Sequence, residues 1–457
     1  MIPMTTAEIA EVVGGQVHGD PAALVSAPSA VDSRVVEDGG LFVAIAGERV
    51  DGHDFVATAR EQGAAAVLGS RVVDAPCVVV DDATHALGLL ARHVLEQVRP
   101  TVVAITGSQG KTSVKDLVAH LLGEEVVATR GNNNNELGVP LTVLRTHGST
   151  RHVVVEMGAR GIGHIARLCR VAPPDVAVVL NVGSAHVGEF GSVDNIAVAK
   201  GELVQALRPG GRAVLNIGDP RVAAMARFLP DGTAALVSFG RADDGGSADV
   251  AIRAVRPDGD GEPDVTLAWG GHEVTVHVPL VGEHHAENLA AAVAAVVAAC
   301  GDDADALDDL GERLEQFRSP SPMRMERHRR ADGVTVVDDS YNANPESMAA
   351  ALRAVRDMGA GRRVAVLGEM LELGADAHEQ HVRTGRLAAD LGYERVLAVG
   401  EPARGIAEGA GAAGQVVTDV SEAVSRLRAW LTGGDVVLVK ASRGARLERV
   451  TAGLLAD

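Results

Sequence analysis

Short apolar runs recur along the chain and alternate with segments of helical periodicity. Residues 102–106 form one such run, and a polar, glycine-rich turn follows it directly. Residues 113–122 have the spacing of a helix, and further apolar runs begin at Val153 and Val176. Regular alternation of buried strands and helices is typical of a parallel sheet covered by helices. The pattern therefore predicts an α/β protein.

Two breaks in this pattern divide the chain into three units. Pro100 follows a helical segment, and Ser-Pro-Ser-Pro at residues 319–322 has the composition of a linker. We expect a small α/β unit at residues 1–98, a central parallel-sheet unit at residues 99–318 and a doubly wound, Rossmann-like unit at residues 319–457. A length of 457 residues agrees with several domains, because single cores rarely grow beyond about 250–300 residues.

Residues 249–278 have a different pattern from the rest of the central unit. Apolar and polar residues alternate there, and Gly270 and Gly271 provide a turn signal. This period of two predicts an antiparallel appendage, because strands of that kind often expose one face to water. The apolar residues 286–299 then predict a helix that returns to the central core.

The composition excludes some classes of partner. The net charge is −19, and such a surface repels polyanions, so we expect no nucleic acid partner. The three cysteines, Cys77, Cys169 and Cys300, lack metal-type spacing, and we expect reduced thiols. The longest apolar run, residues 290–300, falls short of the roughly 20 residues that span a bilayer. We therefore expect a cytoplasmic protein without membrane insertion, and a monomer.

The turn after the strand at residues 102–106 carries the sharpest local signal for function. It reads Gly-Ser-Gln-Gly-Lys-Thr over residues 107–112. Backbone N–H groups at such a helix start can surround phosphate, Lys111 can neutralise its oxygens, and the Thr112 hydroxyl can bind Mg²⁺. The common form of this motif has another glycine where Ile105 stands. An ordinary glycine turn is the alternative, but the strand–turn–helix context favours phosphate binding.

Other polar residues at predicted ligand positions are less specific. Glu156 and His186 each follow a predicted strand, where α/β sheets bind ligands, and Glu156 can hold Mg²⁺. Purely structural roles fit both residues equally well. The asparagine run at residues 132–135 is, by itself, typical of a polar surface turn. Lys200 lies in a helical segment, where a lysine is usually a solvated charge.

The third unit contains a further candidate binding loop. Residues 338–345 read Asp-Asp-Ser-Tyr-Asn-Ala-Asn-Pro after a predicted strand, which also fits a helix N-cap with acids near the helix dipole. Arg324 follows the linker and can reach ATP phosphate across a cleft or form a salt bridge at its rim. Lys440 and Arg443 follow another strand, and they can bind ligand or form surface ion pairs.

Together these motifs resemble those of the Mur ligases, which add amino acids to the UDP-linked peptidoglycan precursor. The resemblance covers nearly all of the chain and all three units. The motifs that carry it are Thr106-Gly-Ser-Gln-Gly-Lys-Thr-Ser, Asn132–Asn135 with Gly138-x-Pro140, Glu156, Asn181-x-x-x-Ala-His186, Ala199-Lys-Gly-Glu, His285-x-x-Asn288 and the Asp338-Asp339 loop.

The resemblance implies the ligands as well. The loop at residues 338–345 is similar to that of the family members that add D-alanyl-D-alanine, whereas sister ligases and folylpolyglutamate synthases differ after the shared aspartate. The segments at residues 31–34 and 51–55 resemble the family's UDP-binding domain, which folylpolyglutamate synthases lack. We therefore expect an ADP-forming ligase that works through an acyl phosphate, with UDP-N-acetylmuramoyl-tripeptide, ATP, D-alanyl-D-alanine and two Mg²⁺ as ligands.

The resemblance also implies a role for each matching residue. It assigns ATP to Gly107, Ser108, Gln109, Gly110, Lys111, Thr112, Ser113, Asn288 (adenine), Asp339 (ribose) and Arg324 (phosphates). It assigns Mg²⁺ to Thr112, Glu156, His186 and a carbamylated Lys200, and catalysis to Lys111, Lys200 and His186. The expected contacts to the UDP-peptide and the dipeptide are Asp32, Ser33, Arg34, Asn132, Asn134, Asn135, Tyr341, Asn342, Asn344, Lys440, Ser442 and Arg443.

Two positions depart from the family's pattern, and two other functions stay open. His284-His285 stands where His-Asn is usual, and Arg324 lies in Met-Arg-Met-Glu, where many members have Gly-Arg. A non-catalytic ATP-binding protein is one alternative, and the combination of Lys111, Thr112, Glu156 and Lys200 argues against it. A P-loop kinase, which would phosphorylate a stable product without an amine, is the other.

Overall fold

In the computed structural model, the structure describes residues 1–47, 50–183, 187–230, 235–242, 248–301, 309–359 and 361–456. The first unit contains a four-stranded sheet in the order β2-β6-β5-β4 and an antiparallel pair β1-β3. Thr5 and Glu8 form the capping box that starts the first helix. Its elements are β1 (Met4–Thr5), α1 (Thr6–Val13), β2 (Gln16–His18), β3 (Leu24–Val25), β4 (Leu41–Val43), α2 (Val56–Glu61), β5 (Ala66–Gly69), β6 (Cys77–Val79) and α3 (Ala83–Val98).

The central unit is built on a nine-stranded sheet. Its elements are β7 (Thr101–Thr106), α4 (Lys111–Leu122), β8 (Val126–Ala128), α5 (Gly138–Val143), β9 (His152–Glu156), α6 (His164–Val171), β10 (Val176–Val179), α7 (Val187–Phe190), α8 (Val193–Gln205), β11 (Arg212–Asn216), α9 (Pro220–Ala223), β12 (Leu236–Arg241), β13 (Val250–Pro257), β14 (Pro263–Trp269), β15 (His272–His277), α10 (His285–Cys300) and α11 (Leu310–Gln316). The strand order is β15-β14-β13-β12-β11-β10-β7-β9-β8. Because β7 pairs in parallel with both β9 and β10, their carboxyl ends meet at one edge of the sheet.

The predicted antiparallel strands are present, but they extend the main sheet. β13, β14 and β15 pair in antiparallel fashion, and β13 pairs in parallel with β12. The prediction of a separate appendage was therefore wrong in its placement and right in its strand direction. The predicted helix at residues 286–299 is confirmed as α10, whose alanines lie buried against this sheet.

The third unit has a six-stranded sheet in the order β16-β17-β21-β18-β19-β20. All neighbours are parallel except the edge pair β16-β17. Separate apolar clusters cover the two faces, which confirms the doubly wound arrangement. Its elements are β16 (Glu326–Arg329), β17 (Thr335–Asp338), α12 (Pro345–Asp357), β18 (Arg363–Leu367), α13 (Ala377–Asp390), β19 (Arg395–Val399), α14 (Arg404–Ala410), β20 (Gly414–Val417), α15 (Val420–Trp430), β21 (Val436–Lys440) and α16 (Glu448–Leu455).

The predicted α/β class is confirmed, and each large sheet lies within one predicted unit. The boundaries at residues 98 and 318 stay predictions. α3 of the first unit packs against α5 and α6, so that Leu87, Leu90, Val139 and Ile165 share one apolar cluster. Over the described ranges, no helix is long and apolar enough to cross a membrane.

Candidate ATP and metal site between two domains

The phosphate loop joins β7 to α4 at the carboxyl edge of the central sheet. Gly110 has a φ of 81°, and a Cβ atom at this position would lie 2.4 Å from Oδ1 of Asn288. Both the backbone angle and the close approach require glycine. No side chain caps the amino terminus of α4, which begins at Lys111. The first N–H groups of the helix are therefore available to an anion such as phosphate.

The Lys111 side chain folds back over this loop. Its Nζ donates a hydrogen bond to the Gly107 carbonyl oxygen at 2.7 Å. Burial lowers the pKa of Lys111, the Glu156 carboxylate raises it, and the Arg324 guanidinium lowers it. A cation in such a water-poor site attracts phosphate oxygens more strongly than it would in bulk water.

Glu156 ends β9 as a buried carboxylate beside the phosphate loop. Its Oε2 accepts a hydrogen bond from Thr112 Oγ1 at 2.8 Å, and its Oε1 accepts one from Asn134 Nδ2 at 2.8 Å. The backbone N–H of Glu156 donates to Thr129 Oγ1 at 3.0 Å. The Thr112 hydroxyl and the carboxylate are hard oxygen donors of the kind that Mg²⁺ prefers. The residues at this position therefore fit a magnesium ion.

Arg324 brings the third unit to the phosphate loop. Its Nη2 donates a hydrogen bond to Thr112 Oγ1 at 2.8 Å, and its guanidinium carbon lies 4.1 Å from the centre of the Tyr341 ring. The aromatic face stabilises the cation and orients it. The structure thus shows the two units closed on each other, with an arginine at the place where ATP phosphates are expected.

Lys200 lies on α8 and is buried, with 6% of its surface exposed. Within the described ranges, its side chain has no hydrogen-bond or ion-pair partner. Burial, and in second place the charge of Lys111, lowers the pKa of Lys200 well below its ordinary value. The interpretation of Lys200 as a solvated surface charge was therefore wrong. A buried amine whose pKa is lowered in this way loses its proton more readily than a surface lysine does, and it is therefore more reactive.

The loop after β17 is tied to the end of β21. Lys440 Nζ donates hydrogen bonds to Asp339 Oδ2 at 2.5 Å and to the Asn342 carbonyl oxygen at 2.8 Å. His284 of the central unit lies nearby and is half-buried. Burial lowers its pKa, Asp339 raises it, and Lys440 lowers it. Asp339 is thus held rigidly at the boundary between the two units, by a lysine that the sequence analysis had assigned to substrate.

His285 occupies the first turn of α10, one turn before Asn288. Its ring centre lies 4.2 Å from that of His284. Its Nε2 is buried and makes no hydrogen bond to the described residues, and burial lowers its pKa well below the ordinary value. The imidazole at this position is therefore neutral, and it shares a helix face with Asn288 beside the phosphate loop.

Comparison with known proteins places this geometry in a family. Three family models match successive parts of the chain: "Mur ligase family, catalytic domain" at residues 30–95, "Mur ligase middle domain" at residues 105–296 and "Mur ligase, glutamate ligase domain" at residues 323–443. This chain belongs to the Mur ligase family.

Relatives of this Mur ligase match it from end to end. A UDP-N-acetylmuramoyl-tripeptide–D-alanyl-D-alanine ligase from Mycobacterium tuberculosis is 41% identical over 100% of this chain and 98% of its own. One of the same name from Escherichia coli is 35% identical over 99% of both chains. The crystal structure of MurF from Acinetobacter baumannii superposes with a TM-score of 0.88 at 31% identity, over 99% of both chains. MurF ligase from Thermotoga maritima, solved in complex with ADP, gives 0.79 at 30% identity, over 94% of this chain and 97% of its own.

The predicted ATP residues of the Mur ligase converge on one place. The loop from Gly107 to Ser113, Asn288 and Arg324 surround the start of α4, and Asp339 lies at the same domain boundary. Glu156 and Thr112 of the predicted metal set are in contact. His186 lies outside the described residues. The family assignment and the use of ATP are confirmed, whereas the role of each residue stays a prediction.

The predicted substrate residues of the first unit lie in a separate part of the Mur ligase. Asp32 caps the short turn that contains Ser33 and pairs with the exposed Arg34 at 2.6 Å. The hydrogen bonds from Arg34 lower the pKa of Asp32 to about 2. In the asparagine loop, Asn132 is exposed, and Asn135 Oδ1 accepts a hydrogen bond from Gly138 N at 2.9 Å. These residues shape two exposed loops, and their contacts to ligand stay predictions.

Several predicted substrate residues in the third unit have structural partners as well. Ser442 Oγ accepts a hydrogen bond from Leu371 N at 3.0 Å, and Arg443 pairs with Glu448 at 3.2 Å. Asn342 is exposed, and Tyr341 packs under Arg324. Arg443 thus forms a surface ion pair, which was one of its two alternatives, and the ligand contacts of Ser442 and Arg443 stay predictions.

Asn344 is the N-cap of α12, which the alternative interpretation of its loop predicted. Its Oδ1 accepts a hydrogen bond from Ser347 N at 2.8 Å, and the Ser347 hydroxyl completes a capping box. We expect Asn344→Ala to lower the free energy of unfolding by about 1 kcal/mol, because the Ser347 N–H in the first turn of the helix loses its hydrogen-bond acceptor. Urea unfolding measures this, and Asn344→Asp is the matched control that keeps the cap. An alanine variant as stable as the wild type would contradict the capping role.

Three side chains contribute to the site in ways that the sequence did not predict. The substrate contact of Asn134 stays a prediction, and the structure adds that its amide donates a hydrogen bond to Glu156. Thr129 and Asn181 had no assigned role, although Asn181 was part of a family motif. Side-chain to backbone contacts between distant segments leave no local pattern, so no sequence signal for Thr129 was available. Asn181 follows a strand adjacent to the phosphate loop, and this position was a usable signal.

Proposed function

We propose that this chain is an ATP-dependent, ADP-forming ligase that joins D-alanyl-D-alanine to UDP-N-acetylmuramoyl-tripeptide. One observation carries the ATP chemistry: Arg324 of the third unit donates to Thr112 of the phosphate loop, beside the buried Glu156. Relatives with this named activity match over nearly the full length of both chains, which supports the choice of substrates. The product would be the peptidoglycan pentapeptide precursor.

The reaction needs an activated carboxylate, because oxide is a very poor leaving group. An oxygen of the peptide's terminal carboxylate attacks the γ-phosphorus of ATP, and ADP leaves. The amine of D-alanyl-D-alanine then attacks the acyl carbon, loses a proton, and phosphate departs. Lys111 and Arg324 neutralise the charge that develops on the transferred phosphoryl group, and the loop amides orient it.

Magnesium would be held by Thr112 and Glu156, with Lys200 and His186 as further ligands in two sites. When bound, the ion neutralises phosphate charge. Carbamylation of Lys200 requires a neutral amine, which attacks CO₂ and releases a proton to leave an anionic carbamate. The burial that lowers the pKa of Lys200 supports this modification, since it favours the unprotonated amine.

The three units would divide the ligands among them. The first unit would bind the UDP moiety, the central unit ATP, and the third unit the dipeptide, with boundaries at residues 98 and 318. We also propose, from the family resemblance, that the enzyme is a monomer and works in the cytoplasm. The contact between Arg324 and the phosphate loop implies that the third unit opens to admit ATP and closes for reaction.

A phosphate-release assay over a matrix of donors and acceptors tests the proposal. We expect ADP and phosphate to form only when UDP-N-acetylmuramoyl-tripeptide and D-alanyl-D-alanine are both present. Single L-amino acids, or folate with glutamate, serve as matched acceptor controls. Turnover with these controls but not with the dipeptide would contradict the substrate assignment, and amine-independent phosphorylation of a stable product would favour the kinase alternative.

A further inference from the structure

Asn181 forms the densest set of contacts with the phosphate loop among the described residues outside that loop. Its Oδ1 accepts hydrogen bonds from Ser108 N at 2.9 Å and from Gln109 N at 3.0 Å, and its Nδ2 donates to the Gln109 carbonyl oxygen at 3.3 Å. We propose that Asn181 is a positioning residue, which holds the first half of the loop in the shape that binds the phosphates of ATP. This inference rests on the ATP-dependent function proposed above.

The contacts divide the loop into two halves. Asn181 occupies the N–H groups of Ser108 and Gln109, so these two groups point away from ligand. The N–H groups at the start of α4 have no side-chain cap. Four or five N–H groups in a short turn can otherwise adopt several conformations around an anion. Fixing the first half leaves the second half, from Gly110 onward, pointing at the phosphates.

A neutral amide suits this position better than a charged group. Two N–H donors and one carbonyl acceptor face the side chain, and an asparagine amide offers both an acceptor and a donor. A carboxylate would accept from the same two N–H groups, but it would lose the bond to the Gln109 carbonyl oxygen. It would also place a negative charge beside the ATP phosphates, which repels them.

The segment that carries Asn181 is itself braced from the next strand. Asn216 Nδ2 donates to the Leu180 carbonyl oxygen at 3.0 Å, and Val182 N donates to Asp219 Oδ2 at 2.7 Å. Asn216 ends β11 and Asp219 follows it, and β11 pairs with β10. Gly183 N in turn donates to Ser108 Oγ at 2.9 Å. The backbone on both sides of Asn181 is therefore held by hydrogen bonds. A side chain can fix the conformation of a loop only if its own backbone is held in this way.

Binding of ADP and of adenosine by the full-length Asn181→Ala protein tests the proposal by calorimetry. Alanine removes all three side-chain bonds, but Ser108 N keeps an acceptor in the backbone carbonyl oxygen of residue 181 at 3.1 Å. The two lost bonds of Gln109, at about 1 kcal/mol each, predict that the Kd for ADP rises about 30-fold. Adenosine lacks phosphates, so its Kd is expected to stay within about threefold of the wild-type value. In turnover, the KM for ATP should rise more than kcat falls. Asn195→Ala is the matched control, because this amide donates to the Phe190 carbonyl oxygen and to no other group among the described residues.

The Asn181→Asp variant distinguishes a role in positioning the phosphate loop from a role in folding of the protein. It keeps the shape of the side chain and both N–H contacts, and we expect ADP affinity to fall while adenosine affinity is kept, with a partial recovery of ADP binding at high salt. Wild-type ADP affinity in Asn181→Ala, or equal losses for ADP and adenosine in both variants, would overturn the proposal. Because ADP binding needs no acceptor substrate, an incorrect ligase assignment would leave this result unaffected.

Discussion

Replacement of Arg324 by alanine is expected to lower kcat by about 10³-fold, the lower end of the effect of arginines that stabilise a transferring phosphoryl group. Arg324 is the third unit's direct contact with Thr112, and the Tyr341 ring orients its guanidinium. The positive charge of Arg324 stabilises the transition state, in which the γ-phosphoryl group lies between ADP and the carboxylate, more than it stabilises bound ATP. The KM for ATP should therefore change much less than kcat, which steady-state kinetics with saturating peptide and dipeptide can show.

Two variants control the Arg324 experiment. Arg324→Lys keeps the charge but loses the planar fork, and we expect an activity between those of the wild type and Arg324→Ala. Arg383→Ala removes an exposed arginine that pairs with Glu379 on α13 of the same unit, and we expect wild-type kinetics. A loss below tenfold in Arg324→Ala, or a loss confined to KM, would contradict the proposed role.

The phosphate loop was predictable because its signal is local. A strand, two glycines, a lysine and a helix start follow one another within a dozen residues, and Gly110 has the left-handed φ that such a turn requires. The binding edge followed from topology, since β7 and β9 are parallel neighbours and Glu156 ends β9. Neither step needs a long-range contact beyond regular strand pairing.

The contacts between distant side chains were not predictable in the same way. Lys440 was predicted to contact substrate because it ends a strand at the expected ligand edge. In the structure its ammonium group forms an ion pair with Asp339, which lies 101 residues earlier. Asn134 likewise donates a hydrogen bond to Glu156, which the interpretation as a polar surface turn did not predict. The burial of Lys200 was hidden as well, because a lysine among small helical residues has the same local pattern on a surface and in a site. Only the family resemblance pointed to it.

Two edge strands of the third unit that the pattern did not indicate have a physical explanation too. β16 reads Glu-Arg-His-Arg and lies at the edge of its sheet, where charged side chains are solvated and no apolar alternation is required. β20 begins with Gly414 and lies at the opposite edge. Central strands such as β21, which are covered on both faces, produced the continuous apolar runs that a sequence reveals.

Lys200→Ala is expected to lower turnover by about 10²- to 10³-fold and to respond to added carboxylates. The basis is the burial of Lys200 without a partner among the described residues, which makes its amine a target for CO₂. If a carbamate supplies an anion at this position, its loss removes charge stabilisation of the size seen when one electrostatic group is deleted. The binding of ADP should remain close to that of the wild type, because no hydrogen bond or ion pair joins Lys200 to the phosphate loop among the described residues.

Chemical rescue distinguishes a carbamate from a plain amine. Formate or acetate can enter the cavity that alanine leaves and supply the missing carboxylate, so we expect each to restore part of the activity in Lys200→Ala. Lys111→Ala is the matched control, since its loss removes a cation beside the phosphates and added carboxylates should only reduce activity further. Rescue by methylammonium instead of formate would show that the enzyme uses Lys200 as an amine. Rescue by the carboxylates alone would show that the residue works as an anion, at a position where burial already lowers the pKa of the lysine.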